Sequence, residues 1–264
     1  MFGFKKVERE IYNSTFLRKV LINIHFPSIE QISDKSDFIK GLFISEFPRV
    51  IVGKNRGYQI SIGNKDKNPN FKAIDENEAV SLKSEDGQLE LIVNRDSISY
   101  SIEGVTYKCF EDDIQKIINK FVNLFEVIGV TQILSCNLRK INLIEFGYGD
   151  SNIPNGILQA MLNKAVVYND DAFPNMAKIG QNIHNIEFKE EDYSLNLRYG
   201  MNTLPLTDKN IGQLIVDYNI QSNVSLKYNL IPDEIKVLNN ELYNVFSWIF
   251  NESAKQILRN GISK

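Results

Sequence analysis

Along residues 110–129, "FEDDIQKIINKFVNLFEVIG", apolar side chains return at steps of four and three: Phe110, Ile114, Ile117, Phe121, Leu124 and Ile128. That spacing puts them on one stripe of an α-helix, so a helix buried along that stripe is predicted. Glu111, Asp112 and Asp113 fall in its first turn, where the positive end of the helix dipole favours carboxylates. Gly129 suits the left-handed residue just past a helix end. A second periodic run, 232–261, carries Ile235, Leu238, Leu242, Val245, Ile249 and Ile257. It opens on Pro232, whose missing N–H would have no helical partner there, and stops at Gly261, which predicts one C-terminal helix. Shorter helices are expected over 36–47, ended by Pro48, and over 154–167, opened by Pro154.

Between the helices apolar and polar positions alternate, the period of a half-buried strand. Strands are predicted over 19–26, 57–63, 87–94, 97–103, 132–146, 178–188, 193–202 and 211–222. "NRDS" (94–97) and "KEED" (189–192) read as turns, and Lys/Asn/Asp-rich 64–72 as a solvated loop. In order, residues 1–130 and 131–264 each read β-α-β-β-β-α. The expected fold is therefore α+β, two duplicated halves forming antiparallel sheets covered by helices. No Pro/Gly/Ser-rich linker separates the halves, so they are expected to pack as one unit. "NLRKIN" (137–142) and "NLRYGMN" (196–202) nearly repeat each other, but in non-equivalent strands of the second half. Their likeness is strand patterning, not the duplication.

Charge changes the picture by subtraction. Lys and Arg number 30 against 33 Asp and Glu, a formal net charge of -3, so nothing global draws the chain to nucleic acid or anionic membrane. No apolar run reaches bilayer or signal-peptide form, and Cys109 and Cys136 lack CxxC spacing. A cytoplasmic protein with reduced thiols and no membrane partner is expected.

Candidate chemistry is sparse. Neither a GxxxxGK[ST] loop nor a GxGxxG after a strand occurs. His25 and His184 are isolated and the two cysteines are far apart, so no metal centre and no cofactor is expected. Asp171, Glu187 and Lys189 resemble the carboxylates and lysine with which metal-dependent nucleases hold Mg²⁺ and assist the attacking water. E-x-K is frequent in any chain, so this is the alternative catalytic reading. Asp217, inside the apolar strand "LIVDYNI", requires a partner. Arg139 and Arg198 are the candidates for a structural ion pair with it, because a guanidinium satisfies both carboxylate oxygens. Arg139, Lys140, Arg198 and Tyr199 are the candidate binding residues, and Tyr58, Tyr100 and Tyr107 candidate stacking platforms for nucleic acid.

Several motifs also fall in a familiar order. They are "FLRKVLINIHFPSI" (16–29), "FISEFPRV" (43–50), "ISYSIEGVTYKCFEDDIQKIINKF" (98–121), "LRKINLI" (138–144), "LIVDYNI" (214–220) and "VFSWIFNESA" (245–254). Over almost the whole chain this order resembles a sporadically distributed family of uncharacterised bacterial proteins. Two positions depart from the family pattern: Lys140 stands where an aromatic residue follows the strand arginine, and Asn239 where a histidine is common early in the last helix. The resemblance implies a mobile bacterial gene of the kind found in anti-phage defence or toxin–antitoxin modules. The expected function is a non-catalytic protein-interaction or regulatory subunit whose partner is another protein. The alternative is a nucleic-acid-binding protein or metal-dependent nuclease.

Overall fold

The apolar stripe of 110–129 is buried as its spacing requires: Ile114, Ile117, Phe121, Leu124 and Phe125 are all at or near zero exposure. In the computed structural model, which describes residues 1–30, 32–61, 70–147, 154–167, 181–204 and 211–261, this helix lies on an antiparallel sheet of nine strands. The first half comprises β1 (Leu17–His25), α1 (Ser36–Phe43), β2 (Arg49–Ser61), β3 (Asn70–Lys83), β4 (Leu89–Asn94), β5 (Ser97–Glu103) and α2 (Lys116–Ile128). The second comprises β6 (Gln132–Ile133), β7 (Ser135–Gly147), α3 (Pro154–Met161), β8 (Gln181–Lys189), β9 (Tyr193–Leu204), β10 (Ile211–Ser222), β11 (Leu226–Lys227), α4 (Ile231–Ile249) and α5 (Glu252–Asn260). The sheet runs β2-β3-β4-β5-β1-β7-β10-β9-β8, and β6 and β11 form a separate short pair.

The α+β class holds, while the expected separate sheets are one. β1 and β7 pair antiparallel at the centre, Ile22 opposite Leu138 and Ile24 opposite Cys136, and so fuse the halves. In each half the opening strand pairs with the last strand of the meander that follows, β1 with β5 and β7 with β10. The first half carries one strand more than expected, β3. Its sequence "NFKAIDENEAVSLK" is too polar to show alternation, yet its end registers Val80 with Val93 and Leu82 with Leu91, both pairs buried. Residues 64–69 of the expected loop lie outside the described residues, and 70–72 belong to β3.

The single C-terminal helix is also corrected. Phe250 is extended (φ −84°, ψ 129°), and the Asn251 side chain accepts from Ala254 N at 3.0 Å, which starts α5 afresh. Apolar period alone runs through such a break; the N-cap asparagine is what marks it. α2 ends as expected at Gly129, left-handed at φ 79°. At its start the Asp113 carboxylate accepts the backbone N–H of Cys109 at 3.0 Å, so that carboxylate caps as well as complementing the dipole.

One face of the sheet meets the helices. Val20, Ile22 and Ile24 of β1, Ile98, Tyr100 and Ile102 of β5, and Leu214, Val216 and Ile220 of β10 all point there and are buried. Between α1, α2 and the sheet, Phe43, Phe47, Phe121 and Tyr100 meet edge to face, the arrangement their ring quadrupoles favour. Lys120 ties α2 to the end of α1 through Glu46, at 2.6 and 2.7 Å. The N-terminal arm lies along α4, whose buried polar side chains take up its amides: Phe2 N donates to Glu241 Oε1 (3.0 Å) and Val7 N to Asn244 Oδ1 (3.3 Å). Those acceptors explain why α4 keeps polar groups on a covered side.

Candidate functional site

The opposite sheet face is covered by no helix among the described residues. Its apolar members, Leu21, Ile92, Ile141, Leu143, Ile183 and Ile215, stay outside the hydrophobic core. Register sets the rest in lateral rows. One row runs Glu103, Lys19, Ile141, Asp217, Arg198, Asn185; the next runs Ser101, Leu21, Arg139, Asn219, Asn196, Glu187. Amides and charges dominate both.

Arg139 reaches diagonally between these rows. Its Nε donates to Asp217 Oδ1 at 2.8 Å and its Nη2 to Oδ2 at 2.6 Å, a two-pronged pair in which the carboxylate raises the guanidinium pKa further. Asp217 is only 7% exposed, so the apolar strand position gains the partner it requires. Arg198 stands directly opposite Asp217 in register, yet it is exposed and makes no ion pair among the described residues. The expected three-residue cluster is therefore a pair with an unbound neighbour. Next to it the Asn219 Oδ1 is buried without a hydrogen-bond partner among the described residues.

Three lysines described on this face are matched to carboxylates: Lys19 with Glu103 (3.0 Å), Lys83 with Glu90 (3.0 Å) and Lys189 with Glu187 (3.1 Å), whereas Arg49, opposite Lys83 in register at the far edge, is exposed and makes no ion pair among the described residues. Glu187 and Lys189 do share a face, as alternation requires, but they bind each other; Asp171 lies outside the described residues. Among the described residues no three His, Cys, Asp or Glu are grouped as a metal site.

The four candidate binding residues separate. A period of two sends Arg139 and Arg198 to the open face and Lys140 and Tyr199 to the helical one. Tyr199 is buried, stacked on His184 with ring centroids 5.4 Å apart. Tyr100 is likewise buried, donating to Asp113 O at 3.0 Å, and Tyr107 packs against the core, so neither is a stacking platform; the Tyr58 side chain lies outside those described.

Lys140 enters the covered layer and donates from Nζ to Asn239 Oδ1 at 2.8 Å, beneath the Tyr107 ring at 5.5 Å. Burial, with the Arg9 charge adding to it, pushes its pKa down to about 7. Lys140 and Asn239 thus contact each other across the covered layer. Sequence periodicity gave no sign of that contact, because it joins residues 99 positions apart. Cys136 is a buried free thiol whose pKa burial raises, and the Cys109 thiol donates to Asp112 Oδ2 at 3.3 Å. Neither is disposed to be a thiolate nucleophile.

No protein-family model matches the chain, and comparison with curated proteins returns no match. No described helix is long and apolar enough to cross a membrane.

Proposed function

We propose that this chain is a non-catalytic interaction or regulatory subunit that binds another protein through the open sheet face around Arg198. The observation that carries the reading is an exposed guanidinium without an ion pair among the described residues, beside a locked Arg139–Asp217 pair and an amide-rich surface. The sheet fixes the backbone from which this guanidinium projects, and arginine is enriched where protein interfaces bind tightly. The ion-paired lysines of the same sheet face, Lys19, Lys83 and Lys189, weigh against a polyanion, which is gripped through unneutralised cations. A place in the cytoplasm, within a bacterial anti-phage defence or toxin–antitoxin module, is proposed on the family resemblance. The common path of the two halves is read as an internal duplication.

Affinity purification of the tagged protein from its native cell, with and without nuclease, tests the reading. A stoichiometric protein partner that survives nuclease is the expected result. Nucleic acid as the sole co-purifying species would sink it in favour of the nucleic-acid-binding alternative.

A further inference from the structure

On the helical side, away from the open sheet face, four segments enclose a cleft of about 560 Å³. They are the N-terminal arm (Lys5, Val7), the residues at the end of α3 (Leu162 to Lys164), the last turn of α4 (Ser247, Trp248) and the start of α5. Small-molecule sites typically fall within roughly 300–1,000 Å³, so the cleft has a ligand's dimensions. Leu162 and Phe250, both buried, form its apolar floor, and half-buried Trp248 forms a wall backed by Phe4 at 5.2 Å. The frame is tied by side-chain amides: Asn163 Nδ2 donates to Trp248 O at 2.9 Å and Asn251 Nδ2 to Leu162 O at 3.2 Å.

Four charged groups line the cleft, three lysines and Glu252. Lys5 and Lys164 are exposed and make no ion pair among the described residues. Lys255 donates from Nζ to Ser247 O (2.7 Å) and Ser247 Oγ (3.1 Å), which leaves one of its three N–H groups for another acceptor. Glu252, the carboxylate lining the cleft, is engaged by Arg259. Three ammonium groups thus face an indole and an apolar floor.

We propose that this cleft binds a small organic phosphate monoester, its flat apolar body against Trp248 and its phosphate among Lys5, Lys164 and Lys255. A dianion with three terminal oxygens matches three separate ammonium donors better than a carboxylate does. The apolar floor requires a body on that phosphate, since an inorganic ion would leave it empty. This binding goes beyond the protein-interaction reading and stands or falls separately from it.

Trp248 is the only tryptophan in the chain, so intrinsic fluorescence reports on the cleft directly. The full chain is titrated with phenyl phosphate, with phenol and inorganic phosphate as separate arms. The expected result is a saturable change with phenyl phosphate, weakened by added salt. Phenol and inorganic phosphate each bind more than about tenfold more weakly, as does phenyl phosphate to the Lys5→Gln/Lys164→Gln variant. Both lysines are exposed and make no ion pair among the described residues, so that variant is expected to keep its fold. The absence of saturable change up to about 10 mM phenyl phosphate overturns the proposal. So does undiminished affinity in the double variant, or phenol or inorganic phosphate binding as tightly as the ester.

Discussion

Arg139 of β7 holds the Asp217 carboxylate of β10 by two hydrogen bonds, at 2.8 and 2.6 Å, on the sheet face that no described helix covers. The pair joins the two strands at the middle of the second half, and Arg198, directly across from Asp217, makes no ion pair among the described residues. Alternation creates this situation. An apolar strand such as "LIVDYNI" has an outward side, and a carboxylate placed there beside Ile141 and Ile215 is largely removed from water unless a neighbour accompanies it.

Removing one member of the pair costs more than removing both. Arg139→Leu strands the Asp217 carboxylate and is expected to lower stability by about 1–3 kcal/mol, below the usual loss for a fully buried pair because the arginine side chain is 39% exposed. Arg139→Leu/Asp217→Leu should recover most of that loss. Urea unfolding of the single and double variants measures the coupling, and additive losses would show that the pair is not coupled.

How much of this was legible beforehand depends on the kind of signal. The α2 stripe and the alternation that places Glu187 with Lys189 were plain, because each is a local period. The partnership of Arg139 with Asp217 was legible as a need, since a carboxylate in an apolar strand requires a cation; which arginine satisfies it depends on a diagonal across strand register. β3 was hidden by its Lys, Asp, Glu and Asn residues. The break at Phe250 was hidden because the apolar spacing of Ile249 and Ile257 continues across it. Lys140 looked like a surface cation beside Arg139, and one step along the strand takes it to the other face.

Burial of Lys140 makes stability depend on pH. Its ordinary pKa is 10.5 and its folded value about 7, so between those values the unfolded state holds the additional proton. Stability therefore rises with pH from about 7, and below that the folded state carries the full cost of a buried ammonium. Tyr100, Tyr107 and Tyr218 have pKa values raised by burial and oppose this above pH 10. A gain of about 1–3 kcal/mol between about pH 7 and pH 9.5 is expected. Lys140→Met/Asn239→Leu should flatten the slope, and a slope unchanged in that variant would assign it to other groups.

Gly200, within "NLRYGMN", has φ +148°, and a Cβ built there would lie 2.0 Å from the Asn182 carbonyl oxygen of β8. Gly200→Ala should therefore force β8 from β9 and destabilise by about 2 kcal/mol or more. Hydrogen exchange should show the loss concentrated in β8 amides. Protection equal to the parent protein would show that the strands shift at little cost.

Arg198 decides the functional account. Arg198 is exposed and forms no ion pair among the described residues, so Arg198→Glu, which sets a second carboxylate across from Asp217, should lower stability by no more than about 1 kcal/mol. The most direct measurement is quantitative affinity purification from the native cell after nuclease treatment. It compares the parent protein, Arg198→Glu, and Lys5→Gln/Lys164→Gln as a control on the helical side. The account predicts a stoichiometric protein partner that is retained by the control and lost with Arg198→Glu. Equal recovery of that partner with Arg198→Glu, or its loss only from the helical-side variant, would contradict the assignment of the open sheet face as the binding surface.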